Sequence, residues 1–248
     1  MHWFYVEHSQ ISEDKILITG SDVNHIRNVL RMEKGEHIVI CDGNGKDYYC
    51  AISEISPSEV TADILEINDT ESELGTKIYL FQGIPKKDKM EWIVQKAVEL
   101  GVYEIIPVSM KRCVAKISDA KKEKKKVERW QSIAESAAKQ SGRGIIPKVQ
   151  SVMTFDEAVA FSSQLEYSLV PYEQAEGMKE AAEQIKKSCT HKSIGIFIGP
   201  EGGFDDKEIE KVLDAGFHPI TLGKRILRTE TAGVTMLSIL MFQSELQG

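Results

Sequence analysis

The sequence predicts an α/β protein with a mainly parallel sheet, preceded by a smaller, mostly β domain. From residue 77 onward, apolar runs typical of strands alternate with amphipathic runs typical of helices. Before that point, short apolar runs are separated by turn residues. Near the C-terminus, two glycine-containing loops each follow a strand-like run and lead into a helical pattern. Open α/β sheets usually bind their ligand at such junctions.

The first 72 residues are predicted to form a small barrel-like β domain. Asp42-Gly43-Asn44-Gly45 separates two apolar runs and is a strong hairpin signal. A helical stretch over 22–31 interrupts the strands, with Ser21 or Asp22 as the expected N-cap. Residues 68–73 are a polar linker with nothing to bury, so we expect one domain over 1–72 and a second over 73–248.

The second domain is predicted as regular alternation of strands and helices. Gly101 is expected to end the first of these helices, and Asp205 with Glu208 forms a capping box. The strands are predicted over 77–84, 103–108, 167–170, 193–198 and 218–222, and the helices over 88–100, 127–140, 174–187, 205–216 and 229–246.

The charge is unevenly distributed along a chain of 248 residues whose net charge is −7. Residues 1–76 hold 5 Lys/Arg against 15 Asp/Glu, whereas residues 77–148 hold 17 against 8. A basic middle third can attract an anionic polymer even when the whole protein is acidic. The lysine run over 121–126, taken alone, is more typical of a solvated helix start.

No signal peptide and no membrane-length apolar run is found, and the four cysteines form no Cys-x-x-Cys pair. We therefore expect a cytoplasmic protein with unpaired thiols. No histidines have metal-ligand spacing and no Gly-x-Ser-x-Gly elbow occurs, so no metal site is expected. These features favour group transfer by a positioned cofactor over hydrolysis.

The first C-terminal loop is Ile198-Gly199-Pro200-Glu201-Gly202-Gly203-Phe204. Glycine lets a ligand approach the main chain, and proline stiffens the turn. The loop lacks the Lys-Ser/Thr of a P-loop and the glycine spacing of a dinucleotide fold. A plain strand-to-helix connection explains one such loop about equally well, since Gly and Pro are common in turns. Two such loops on neighbouring elements favour a ligand.

The second loop, over 222–232, carries Lys224, Arg225 and Arg228 just before the last helix. Cations are unfavourable at a helix N-terminus, so an anionic ligand is expected to meet them. Lys224 and Arg225 are also explained as solvated surface residues, whereas Arg228 directly precedes the helix. Thr229 and Thr231 are the expected helix caps.

These two loops resemble the signature loops of the SPOUT class of S-adenosylmethionine-dependent RNA methyltransferases. The match is close to the 16S ribosomal RNA uridine N3-methyltransferases, which carry an Ile-Gly-Pro-Glu-Gly-Gly run and a Leu-Gly-x-x-Ile/Val-Leu-Arg-x-Glu-Thr-Ala run. Both stand here at 198–203 and 222–232. The resemblance extends to His25–Arg31 and to Gln140-Ser141-Gly142-Arg143, so it spans nearly the whole chain.

The resemblance implies a C-terminal domain with a deep trefoil knot, although general topology rules disfavour knots. It implies a PUA-like RNA-binding barrel at the N-terminus, and a homodimer with each cofactor pocket near the interface. The cofactor would be S-adenosylmethionine and the substrate a uridine of 16S ribosomal RNA, free or within the small subunit.

The resemblance also implies site residues. Arg228 would be catalytic as a fixed cation, and Glu201 would accept a proton or orient the site. Residues expected to hold the cofactor are Val170, Pro171, Gly199, Pro200, Gly202, Gly203, Leu222, Gly223, Ile226, Leu227, Thr231 and Ala232. Residues expected to meet RNA phosphates are Arg27, Arg31, Lys111, Arg112 and Arg143.

Three alternatives remain open at this stage. A related SPOUT methyltransferase could act on tRNA or on another ribosomal nucleotide, although residues 1–72 and 140–143 favour the uridine family. An RNA-binding module without activity is disfavoured by the intact glycines of both loops. A Rossmann-type oxidoreductase is disfavoured by the missing dinucleotide fingerprint.

Overall fold

The structure, a computed structural model, describes residues 2–114, 119–175 and 177–246. The chain divides into two compact units. The first unit comprises residues 1–73 and 138–146, and the second comprises residues 74–137 and 147–248. Each unit has its own sheet, of five and seven strands respectively.

The sheet of the first unit has the strand order β1-β3-β4-β5-β2. β1 runs parallel to β3, and the other neighbours are antiparallel. The predicted hairpin is confirmed between β3 and β4, where Asp42 Oδ1 accepts from the Asn44 and Lys46 amides. The strands are β1 (His2–Tyr5), β2 (Lys15–Thr19), β3 (His37–Cys41), β4 (Lys46–Ile55) and β5 (Glu59–Asp69).

The predicted helical stretch is confirmed as α1 (Ser21–Asn24) continuing into a π-helical segment, His25–Leu30. The prediction that Ser21 or Asp22 caps it is wrong. Gly20, with φ of 74°, takes the N-cap position and provides no side-chain cap. At the other end, Arg31 adopts φ of 54°, and the following amide of Met32 donates to Ile26 O.

The segment 138–146 completes the first unit. Arg143 donates to Glu73 at 2.6 Å and 2.8 Å, and the amide of Gly144 also donates to Glu73. A Cβ at Gly144 would lie 2.2 Å from Thr70 Oγ1, so only glycine fits there. Residues 68–73 are therefore not a linker with nothing to bury: the first two belong to β5, and Glu73 anchors this segment.

The second sheet has the order β12-β10-β11-β6-β7-β8, with β9 also paired to β7. Every pairing in it is parallel, which confirms the predicted sheet type. The carboxyl ends of its strands consequently share one edge. The strands are β6 (Lys77–Gly83), β7 (Glu104–Ser109), β8 (Lys148–Val149), β9 (Met153–Thr154), β10 (Tyr167–Pro171), β11 (Ser193–Ile198) and β12 (His218–Ile220).

The helices of the second unit follow the prediction with three differences. α3 begins at Ala120 and so includes the whole lysine run, α5 begins after Gly177 (φ of 89°), and α4 was not predicted. The predicted capping box of α6 is confirmed. The helices are α2 (Lys89–Glu99), α3 (Ala120–Ser141), α4 (Phe155–Ser162), α5 (Met178–Ser188), α6 (Asp206–Asp214) and α7 (Thr229–Glu245).

Within the described ranges, no helix combines the length and the apolar character needed to cross a membrane. The four cysteines are buried free thiols.

Candidate functional site

A cleft of about 410 Å³ opens at the carboxyl edge of the second sheet, next to the end of β11. A smaller cavity of about 90 Å³ adjoins it at the end of β12. The two share five lining residues, so we treat them as two lobes of one cleft. The shared residues are Pro171, Glu173, Ile226, Leu227 and Ala232.

The two glycine loops meet in this cleft. Loop 199–204 and the start of α7 line the larger lobe, whereas Thr221, Leu222 and Gly223 line the smaller one. β10, β11 and β12 are neighbours in the sheet, so the segments that follow them lie side by side. The parallel topology therefore brings together two loops that are about twenty residues apart in sequence.

Buried hydrogen bonds hold the start of α7 against the first loop. Thr229 Oγ1 donates to Gly199 O at 2.6 Å and accepts from Gln82 Nε2 at 2.9 Å. Gln82 and Thr229 are both buried. The prediction that Thr229 or Thr231 caps α7 is wrong, because the N-cap position is Arg228 and no side chain caps it. Thr229 instead connects β6, the first loop and α7.

The two loops differ in the space that is free beside their glycines. A Cβ at Gly199 would lie 3.3 Å from the Phe204 ring, and one at Gly202 would lie 2.9 Å from Arg112 Cβ. The space beside these two glycines is filled by the protein itself. Gly223 has φ of 110°, and its Cβ direction is open within 4 Å. Only the second loop therefore leaves free space next to a glycine, where a ligand can approach the main chain.

Lys89 lies in the larger lobe between two carboxylates. Its Nζ is 3.2 Å from Glu201 Oε1 and 3.1 Å from Glu230 Oε2. The hydrogen bond to Glu230 raises the pKa of Lys89, and the bond to Glu201 adds to this in spite of partial desolvation. Lys89 is thus an ammonium at neutral pH, and it links α2 to the first loop and to α7.

Glu201 is held as a carboxylate. Partial burial raises its pKa, but the amides of Glu201 and Lys86 and the ammonium of Lys89 outweigh that effect, so the pKa lies below its usual range. A carboxylate with a lowered pKa is a weak base. Of the two roles expected for Glu201, this environment favours orientation of the site over proton acceptance.

Arg228 lines the larger lobe and is exposed. Within the described part of the chain, its side chain makes no salt bridge and no hydrogen bond. A guanidinium without a protein partner is available to an anion in the cleft. Lys224 and Arg225 are exposed, as predicted, and Arg225 lines the smaller lobe.

The residues predicted to hold a cofactor converge on the cleft, with two exceptions. Val170 is fully buried in β10 and does not line the cleft, and Thr231 is exposed outside it. Lys89, Glu173 and the Gln82–Thr229 pair were not predicted as site residues. Lys89 could have been found, since it is a cation at a helix N-terminus like Arg228. No sequence signal assigns Glu173 or Gln82 to the cleft, and Thr229 was expected only as a helix cap.

The residues predicted to meet RNA have diverse surroundings. Lys111 and Arg112 are exposed in the segment after β7. Lys111 Nζ lies 2.9 Å from the Asp205 carboxylate, which caps α6, and Arg112 donates to Gly202 O. In the first unit, Arg27 is half-buried and Arg31 is exposed. Arg143 is 3 % exposed and paired with Glu73. Its prediction as a phosphate contact is therefore wrong: it holds the first unit together.

Lys89→Met is expected to destabilise the second unit, because it leaves two carboxylates facing each other without a cation. Hydrogen bonds to charged groups contribute about 1.5–3 kcal/mol, and partial exposure of Lys89 reduces the expected loss to about 1 kcal/mol. Urea unfolding would measure this loss in the free energy of unfolding. The matched control is Lys96→Met on the same helix, which removes a similarly exposed pair with Glu99. Equal effects of the two variants would contradict the bridging role.

Comparison with known proteins covers both units. A family model described as an RNA methyltransferase domain matches residues 72–241, and one described as an RNA methyltransferase PUA domain matches residues 18–65. The chain is 39% identical over 232 residues to ribosomal RNA small subunit methyltransferase E of Bacillus subtilis, covering 92% of this chain and 90% of the relative. The protein of that name from Mesomycoplasma hyopneumoniae is 33% identical, with 96% and 98% covered.

A solved structure of similar fold belongs to a protein of the same name. It is ribosomal RNA small subunit methyltransferase E of Neisseria gonorrhoeae bound to S-adenosylmethionine, with a TM-score of 0.80 and 32% identity. The match covers 96% of this chain and 95% of that one.

Proposed function

Because the chain belongs to the ribosomal RNA small subunit methyltransferase E family, we propose that it methylates N3 of a uridine in 16S ribosomal RNA with S-adenosylmethionine as the methyl donor. The observation that carries this proposal is the meeting of both signature loops in one cleft of the second unit. For this activity the protein must be located in the cytoplasm, where ribosomal subunits are made.

The cleft fits S-adenosylmethionine in shape and charge. The open space beside Gly223 lets an adenine edge meet main-chain N–H and C=O groups. Leu227 and Ala232 supply apolar walls, and the Glu173 carboxylate favours the positive charges of the cofactor. When bound, the cofactor supplies an activated methyl group on its sulfonium.

Arg228 provides the electrostatic part of the reaction. Uridine must lose its N3 proton before or during methyl transfer, and the product of that loss is an anion. A guanidinium facing the base stabilises this anion and so favours loss of the proton. Arg228 itself stays protonated and is not the base. Lys89 and Glu201 fix the first loop, which would help to orient the base and the methyl donor.

The RNA contacts follow the charge distribution. The exposed lysines at the start of α3 lie in the second unit, as do Lys111 and Arg112. Arg27 and Arg31 provide cations in the first unit, which we propose is a PUA-like barrel that holds RNA. Arg143 is left out of this set because it is buried against Glu73.

We further propose a trefoil knot in the second unit, with α7 threading beneath the two loops. The support is that Thr229, at the start of α7, bonds to the first loop and that α7 packs on α2. The path of the knot itself is taken from the resemblance of the two loops to those of the SPOUT methyltransferases.

A homodimer is proposed from the surface of α7. Ile239 and Phe242 of this helix and Leu246 directly after it remain exposed, as does Trp92 on the adjacent α2. An exposed apolar patch of this kind is typical of a protein interface.

Phe242→Lys is expected to convert the dimer to a monomer, because it places a charge in the centre of this patch. Sedimentation at micromolar concentration would measure the mass. The control is Leu213→Lys, which charges a similarly exposed apolar side chain on α6. A dimer that survives the first substitution, or is lost with both, would contradict the assigned interface.

The proposed function is tested by methylation of 16S ribosomal RNA from cells that lack the gene, followed by mass mapping of the modified nucleosides. We expect one new N3-methyluridine in 16S RNA, on the free RNA or on the small subunit. Methylation of tRNA, or of another ribosomal nucleotide, would instead support a related SPOUT enzyme.

A further inference from the structure

A row of apolar side chains crosses one face of the first sheet. Trp3 of β1 pairs with Val39 of β3, and Val39 pairs with Tyr49 of β4. Residues at paired positions point to the same side of a sheet, so the three form a line across the strands. The opposite face packs into the core of the unit through Phe4, Ile38 and Ile40. Trp3 is 41 % exposed, so its ring is accessible to a ligand on this face.

This row lines an open cleft of about 980 Å³ whose lining residues all belong to the first unit. The rest of the cleft lining is formed by the end of β5 and the residues after it, together with Ser141 and Gly142. The cleft is far larger than a site for a single ion. Its lining residues come from four strands and from the segments 70–72 and 141–142, so the cleft has room for several residues of another chain.

The polar lining is acidic. Asp47, Asp69 and Glu71 line the cleft, and no Lys or Arg is among its described lining residues. Lys46 neutralises Asp69 at 2.6 Å, so Asp47 and Glu71 carry the unmatched charge.

The charge of the whole unit has the same sign. Its residues include 7 Lys/Arg and 15 Asp/Glu, a net charge of −8. Aromatic side chains on a sheet can stack nucleic-acid bases, but the accompanying phosphates need cations, and this cleft offers carboxylates. Arginine and lysine side chains match both the aromatic row and the acidic lining of the cleft, because they stack on aromatic rings and pair with carboxylates.

We propose that this cleft binds a short, extended, arginine- or lysine-rich segment of another protein. In this proposal the aromatic rings of Trp3 and Tyr49 contact the cationic side chains, and the carboxylates of Asp47 and Glu71 pair with their charges. The Tyr49 hydroxyl is 2.7 Å from His37 Nδ1, which fixes the ring. The RNA contacts proposed at Arg27 and Arg31 do not compete, because their helical segment packs through Val23 and Ile26 on the opposite face of the sheet.

The test is a titration of the full-length protein with a fluorescein-labelled peptide of alternating arginine and serine, eight residues long, at about 0.15 M salt, where long-range charge effects are screened. Fluorescence anisotropy reports binding. The cleft variant is Asp47→Asn with Glu71→Gln. The matched control, Glu54→Gln with Glu59→Gln, makes a similar charge change at exposed residues of β4 and β5 outside the cleft.

We expect the cleft variant to weaken peptide binding at least tenfold and the control to change it less than twofold. Trp3→Leu is expected to weaken binding about threefold, since a cation–π contact at a partly exposed site contributes about 0.5–1 kcal/mol. The circular dichroism spectrum and the urea unfolding midpoint of every variant should match those of the wild type, which shows that the first unit, where all the substitutions lie, is folded.

Three results would overturn the proposal. Equal weakening by the cleft and control variants would mean that the peptide responds to net charge alone. Displacement of the peptide by an oligouridine of the same length would identify the cleft as an RNA site. Absence of peptide binding to the wild-type protein would leave the acidic lining without a cationic partner.

Discussion

Replacing Arg228 by alanine is expected to reduce methyl transfer by about 10²-fold or more, because one fixed electrostatic partner of the transition state is lost. Cofactor affinity should stay within about tenfold, since the cleft walls are unchanged. The side chain lines the cleft without a salt bridge or hydrogen bond in the described structure, so its removal leaves no buried group without a partner. Single-turnover kinetics with saturating cofactor would measure the effect.

Two further variants make the assignment specific. Arg228→Lys should recover little activity, because a point charge does not reproduce the planar, forked guanidinium. Arg225→Ala removes a neighbouring exposed cation and should leave the single-turnover rate within a few-fold of the wild type. A lysine variant that works at nearly the normal rate, or an equal loss at Arg225, would contradict the role given to Arg228.

Ala232→Phe is expected to weaken S-adenosylmethionine binding more than about 100-fold, which corresponds to about 2.8 kcal/mol. Ala232 is in the first turns of α7 and lines both lobes, so a phenyl group there fills space that the cofactor needs. A substitution on the helix is a cleaner probe than one at Gly199, where a Cβ would meet Phe204 and disturb the loop itself. Titration calorimetry would give the affinity.

The control is Ala182→Phe, which makes the same change at an exposed position of α5 away from the cleft. This variant should bind the cofactor normally, and circular dichroism should show unchanged helix content in both. Normal cofactor affinity in Ala232→Phe would mean that the cofactor lies elsewhere.

The fold of the second unit was largely predictable because each element carries its own signal. Strands buried on both faces of a parallel sheet have continuous apolar runs, such as Ser193–Ile198, and helices have caps such as Asp205. Because each glycine loop follows a predicted parallel strand, both loops could be assigned to the same edge of the sheet. The helix α4 was missed although it has a capping box at Thr154 and Glu157, because it is only eight residues long.

The missed parts of the site depend on contacts between distant residues. Gln82 and Thr229 are polar residues at the ends of ordinary elements, and only the folded chain brings them within hydrogen-bond distance. Arg143 also depends on a contact between distant residues, but in this case the contact removes a predicted site residue from the surface. Its place in a Gln-Ser-Gly-Arg run suggested an exposed cation, whereas Glu73, seventy residues earlier, removes it from solvent. Sequence spacing carries no information about such pairs.

The contribution of residues 138–146 to the first unit has a consequence for biosynthesis. Domains generally fold in order as the chain leaves the ribosome, the N-terminal one first. Here residues 1–73 emerge without the partner of Glu73 and without Ala138, whose carbonyl accepts from the Tyr5 hydroxyl. The first unit therefore cannot be completed until residues 74–137 of the second unit, about two fifths of it, have been translated. A gene fragment that stops at residue 73 encodes all five strands of that sheet but omits the segment that completes the unit.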